Sequence, residues 1–227
     1  MKDNHTIYTL MTYSCWAFVI LTGLAMIFYP GGSIGDHQAT QYSFLKNFFS
    51  DLGRWKTFVG GTKYASFFLF AIALFQVAII SFIFNWKLTD DLDGDKERPW
   101  ISKFALICGC IYSMAMFGIA LTPYDLLLAE HMIAVKTCFY VLVPLCLSYS
   151  FLIYKRKHLP NRYASLFLVT TLMLIGYIYI LNWGPKAKEN EYLQTCAQKI
   201  IVYTLVFSLM YVAVGAKKYL HQPRGLN

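Results

Sequence analysis

The sequence predicts an all-α fold, a polytopic integral membrane protein built as a six-transmembrane-helix bundle. Three observations carry this expectation. Of the 227 residues, 57% are hydrophobic and only 14% charged, against roughly 25% charged in a soluble domain. Six segments, about 12–29, 65–85, 104–121, 132–153, 164–181 and 197–215, have the length and purity that a bilayer core demands. They are apolar on every side, whereas an outer-membrane barrel would alternate in polarity over segments of about ten residues. With connections this short, residues 1–227 form a single membrane domain.

The first segment is read as a retained span. Its apolar run is too long for a signal peptide and leads into Tyr29-Pro30-Gly31-Gly32, not a small-x-small cleavage site. The loop from about Pro30 to Lys63 mixes glycine, aromatic and polar residues, which predicts ordered structure packed over the bundle mouth. After the second span, the link Thr89 to Glu97 invites an EF-hand reading. Its glycine is misplaced and no acidic residue closes a twelve-residue loop, so a solvated turn is expected instead. The third and fourth spans are joined by the short link Thr122 to His131. Tyr29, Trp86, Trp100 and Trp183 at segment ends fit an interfacial aromatic belt. No internal repeat or low-complexity tract is present.

Orientation follows from Lys and Arg. With the N-terminus inside, twelve fall on the cytoplasmic side (2, 87, 96, 98, 103, 155, 156, 157, 162, 217, 218, 224) and seven outside (46, 54, 56, 63, 186, 188, 199), so both termini are expected in the cytoplasm. The cluster Lys155-Arg156-Lys157 is the strongest single vote. The net charge of +8 does not point to nucleic acid, because the basic residues sit beside apolar spans and not on one solvent face. They suit anionic lipid headgroups. The six cysteines lie in or at the edge of apolar segments and form no C-x-x-C pair, so they read as small buried hydrophobes.

Ionisable residues are costly in a membrane and their placement is informative. On this topology Ser50-Asp51-Leu52-Gly53-Arg54, Pro123-Tyr124-Asp125, Glu130-His131 and Gln198-Lys199 all lie near the outer ends of spans, so one outward-facing pocket is expected. Asp51, Asp125, His131 and Ser50 are its candidate catalytic residues. Asp125 and His131 share a short link, where a carboxylate can orient an imidazole for proton transfer; a polar interfacial turn explains the same residues. Ser50 is either part of a helix cap or a nucleophile served by His131, with Asp125 as orienter, although no G-x-S-x-G elbow is present. Arg54, Lys136, Gln198 and Lys199 are the candidate substrate-binding residues, with Arg54 and Lys136 expected to hold a phosphate or carboxylate. No H-E-x-x-H or H-x-x-x-H pair occurs, so no metal site is expected. No cofactor is specified.

These motifs, Ser50-Asp51-Leu52-Gly53, Thr122-Pro123-Tyr124-Asp125, His131 and Gln198-Lys199, resemble in type and order the bacterial membrane family called domain of unknown function nine-nine-eight. The pattern is similar to the wider superfamily of FGF-receptor-activating protein, damage-regulated autophagy modulator and yeast Sfk proteins. Lys199 stands where the family more often has arginine, and Tyr124 fills a variable place. The resemblance implies six spans in a bacterial inner membrane and, through the eukaryotic relatives, a role in lipid remodelling or membrane lipid organisation.

The leading expectation is therefore a lipid-active or lipid-binding membrane protein, acting on acyl or phospholipid linkages, with membrane lipids as partners. One alternative is a small-solute or proton-coupled transporter or channel, although inverted repeats and broken helices are not visible. Another is a structural subunit, in which exposed small-residue faces such as Gly109, Ala115 and Gly118 would meet a second copy or a partner membrane protein. For a shared pocket, Asp51, Asp125 and His131 are expected to line one cavity. At least one of the two carboxylates is expected to pair with Arg54, Lys136, Lys199 or His131.

Overall fold

The computed structural model describes residues 4–58, 60–61, 64–93, 99–156, 159–186, 189–190 and 192–220. Six helices span them: α1 (Asn4–Ile27), α2 (Tyr64–Leu92), α3 (Pro99–Leu121), α4 (Leu128–Arg156), α5 (Asn161–Trp183) and α6 (Leu193–Tyr219), with a short 3-10 turn at Phe49–Gly53. At 23 to 29 residues each and 1.5 Å per residue, they are about 35–43 Å long. All six are long and apolar enough to cross a membrane. Residues 94–97 of the acidic link, Lys157 of the basic cluster, and Lys2, Lys63, Lys96, Arg98, Lys188 and Arg224 of the charge count lie outside the described residues.

The helices outrun the apolar segments because hydropathy registers only a helix's lipid-facing middle. The clearest case is α2, which continues past Asn85 to Leu92. Thr89, Asp90 and Asp91 are therefore helical, not part of a solvated turn. Side-chain bonds explain the extension. Asp91 accepts from the Tyr8 hydroxyl of α1 and pairs with Lys87 one turn earlier, and the Thr89 and Tyr149 hydroxyls lie 3.2 Å apart in the interior.

Each helix packs on the next in sequence, and α6 returns to pack on α1, so the six close into a ring. The start of α1 and the end of α6 lie at one end of the ring, with the last turn of α2, the first of α3, the last of α4 and the first of α5. The opposite end carries the described residues between α1 and α2 and between α3 and α4. The outer surface is strongly apolar, with Ile27, Met114 and Leu172 exposed at 75%, 71% and 69%, a surface that water would penalise and lipid accepts. Trp86, Trp100 and Trp183 are exposed near helix ends.

The small residues of α3 serve the inside of the ring. A Cβ on Gly109 would meet the Asn85 side chain at 2.8 Å, one on Gly118 would meet the Ala134 Cβ at 3.0 Å, and Ala115 is buried. The exposed small-residue face expected for a partner subunit is thus taken up by contacts with α2 and α4. Cys15, Cys108, Cys138 and Cys146 are buried free thiols.

The described residues of the α1–α2 loop cover one mouth of the ring. The loop turns at Gly31 and Gly32, whose φ angles are 100° and 84°; a Cβ on Gly31 would lie 2.1 Å from the Ala39 carbonyl, so the turn requires glycine there. Beyond it, the 3-10 turn drops into the mouth. Phe49 is buried against Phe18 of α1, Phe70 of α2 and Tyr203 of α6, with ring centroids 5.9, 5.4 and 5.7 Å apart. The Ser66 hydroxyl of α2 donates to the Leu52 carbonyl at 3.1 Å.

Candidate functional site

The first turns of α6 hold this stopper. Thr195, Gln198 and Lys199 are spaced i, i+3, i+4 and so share a helix face. They bind alternate residues, Leu45, Asn47 and Phe49, of the turn that leads into the stopper. The Thr195 hydroxyl donates to the Leu45 carbonyl, Lys199 Nζ donates to the Asn47 carbonyl, and Gln198 Oε1 accepts the Phe49 N–H at 2.8 Å. Lys199 is fully buried. It donates also to the Thr195 carbonyl at 3.0 Å, and its ammonium lies 5.8 and 5.3 Å from the ring centres of Tyr42 and Phe44.

Asn47, also fully buried, organises the turn. Its Nδ2 donates to the Gly32 carbonyl at 2.7 Å and to Asp51 Oδ2 at 3.0 Å, while its Oδ1 accepts the Ser43 N–H at 2.9 Å. Asp51 Oδ2 accepts the Phe48 N–H at 2.9 Å as well. Asp51 Oδ1 is buried without a hydrogen-bond partner among the described residues. Burial pushes the Asp51 carboxyl up to about 6, against the opposing pull of the Asn47 amide, Arg54, the Phe48 N–H and Lys199.

Asp125 and His131 are neighbours in the α3–α4 link region, yet they do different work. Asp125 accepts the Trp55 N–H on Oδ1 and the Lys56 N–H on Oδ2, both at 2.9 Å, and so fastens the chain leaving the stopper. The His131 ring is oriented by the Thr122 main-chain carbonyl, 2.7 Å from Nδ1. The Tyr124 ring meets it edge-on at 5.8 Å. His131 is 3% exposed, and its Nε2 has no hydrogen-bond partner among the described residues.

Behind the stopper two neighbouring cavities, an outer and an inner lobe, lie within the ring. The outer lobe, about 290 Å³, lies between the stopper, α4, α5 and α6; its walls include Tyr124, Met132, Tyr177, Lys186 and Gln194. The inner lobe, about 70 Å³, is walled by apolar side chains of α1, α2, α3, α4 and α6, among them Phe18, Leu74, Met116, Leu142 and Leu205. Ser50, His131, Val135 and Gln198 line both lobes. They form a collar, polar on three sides, where the two meet.

The structure therefore brings together Ser50, His131 and Gln198 of the residues singled out from sequence. It does not place Asp51 or Asp125 in the wall of either lobe, so among the described residues they do not share with His131 the cavity that was expected. Nor does either carboxylate form an ion pair among the described residues. The reason is local: main-chain N–H groups, and for Asp51 the Asn47 amide, are their hydrogen-bond partners instead. The Arg54 guanidinium stacks 4.0 Å from the Phe58 ring centre and 5.9 Å from that of Tyr124, so it stands behind Tyr124 and not in the cavity. Lys136 is half-buried on α4 and absent from both lobes. Contributors missed from sequence include Asn47, Val135, Thr195, the Thr122 carbonyl and Lys186. The i, i+4 spacing of Asn47 and Asp51 is the one signal that would have found the first. Among the described residues no group of three or more His, Cys, Asp or Glu is placed to hold a metal ion.

Fold and surface define the class: an integral membrane protein formed by a closed ring of six spanning helices, with a capped internal cavity. Comparison with protein-family models, with curated proteins and with solved structures yields no match.

Proposed function

We propose that this chain is a lipid-active membrane protein that seats an amphiphile across the two lobes, head in the outer one and the first methylenes of its chain in the inner one, with the linkage between them at the collar. The observation that carries the reading is the collar itself. Three polar side chains, one with an unpaired nitrogen, stand between an outer lobe of mixed lining and an inner apolar one, and binding sites of this build are mostly apolar with a few placed polar groups. The resemblance to lipid-remodelling membrane families points the same way. The excess of Lys and Arg beside the other end of the ring supports placing both termini in the cytoplasm and the stopper outside, in a bacterial cytoplasmic membrane.

The test is mass spectrometry of lipids retained by the purified full chain. Val135 lines both lobes, so Val135→Phe blocks the passage between them. A lipid retained by the wild type and lost from folded Val135→Phe is expected; a wild type that retains no chain-bearing lipid would sink the reading.

A further inference from the structure

Resting on that reading, we infer that the lipid seated in the cavity carries a hydroxyl where its head meets its chain, and that His131 Nε2 is the acceptor that selects it. A main-chain carbonyl has no proton to give. The 2.7 Å contact between His131 Nδ1 and the Thr122 carbonyl therefore makes Nδ1 the donor, and the neutral ring presents a lone pair at Nε2. That nitrogen is buried and has no partner among the described residues, and the His131 side chain that carries it stands in the wall of both lobes.

In this structure Nε2 is a buried acceptor without a bond from the described residues. A ligand that fills the collar either supplies that bond or leaves the acceptor unpaired. The neighbours sharpen the requirement. Gln198 Oε1 is occupied by the Phe49 N–H and its NH₂ also serves the Tyr177 hydroxyl, which leaves one amide hydrogen to offer, and Ser50 brings a hydroxyl that both donates and accepts. The collar thus presents one acceptor that only a donor can satisfy, beside groups that can supply hydrogens to the same ligand oxygen. A hydroxyl fits this set, since it gives its proton to Nε2 and keeps lone pairs for Ser50 and Gln198. An ether or ester oxygen accepts only and leaves Nε2 unpaired. Because the collar sits at the junction of the lobes, the hydroxyl belongs at the junction of head and chain.

The matched probes are hexadecanol and hexadecyl methyl ether, titrated against the full chain in detergent. The wild type is expected to bind the alcohol about tenfold or more tightly than the ether, and His131→Phe to bring that ratio close to one. Equal binding of the two probes by the wild type would overturn the inference and leave the lipid reading intact. Binding of neither probe, by a wild type that also retains no lipid, would overturn both. Should His131→Phe fail to fold, the wild-type ratio decides alone.

Discussion

Lys199 of α6 donates its buried ammonium to the main-chain carbonyl of Asn47, 152 residues away in sequence. The last helix of the ring thereby sets the position of the segment that closes it. Thr195 and Gln198 act from the same face on Leu45 and Phe49, and Ser50 is the next residue along.

Replacing Thr195 with valine keeps the side chain's shape and removes its bond to the Leu45 carbonyl. Thr195→Val is expected to cost about 1–2 kcal/mol of stability and to raise amide hydrogen exchange over residues 43–49, with the helices unaffected. Unchanged exchange in that segment would show that the clasp does not hold the stopper.

Asp125 separates two accounts of His131. As an anchor for Trp55 and Lys56, its removal in Asp125→Ala leaves two N–H groups without their acceptor, costs about 1–3 kcal/mol, and opens residues 54–58 to proteolysis. As an orienter of His131 it would instead change the ring. The imidazole nitrogen chemical shifts are expected to stay as in the wild type, because the Thr122 carbonyl holds Nδ1; a change of tautomer in Asp125→Ala would restore the triad.

The Asp51 carboxyl is raised by burial to about 6, above its value of roughly 3.9 in an unfolded chain. The folded state therefore binds this proton more tightly than the unfolded state does. Its effect is to make stability greatest below about pH 4, falling as pH rises through 6 and level above it, by about 3 kcal/mol in total. Thermal unfolding in detergent over this range is expected to show that slope in the wild type and not in Asp51→Asn, with the variant the more stable of the two at pH 7. A slope that persists in Asp51→Asn would assign the titration to another group.

Six spans were legible because lipid accepts few alternatives to a long apolar helix, and α1 through α6 each left that mark. Their ends were less legible. Asp90 and Asp91 look like turn residues until Tyr8 and Lys87 are placed beside Asp91, and no local pattern encodes a contact with a helix 83 residues away. The convergence of Ser50, His131 and Gln198 could be read from their shared position near one set of span ends. Their partners could not. Charge counting pairs carboxylates with cations, whereas Asp51 and Asp125 found main-chain N–H groups, which every residue but proline carries and no sequence advertises. Asn47 and Thr122 escaped for the same reason, being uncharged groups whose role lies in where they point.

Ser50 rides on the same short turn whose Phe49 closes the ring. Drawing that turn outward to admit a molecule would carry Ser50 away from His131 and break the Phe49 bond to Gln198. A guest arriving by that route meets only part of its reception, and the rest is assembled as the door swings shut behind it. Recognition by that route is thus coupled to closure, and a guest that prevents closure is never fully read.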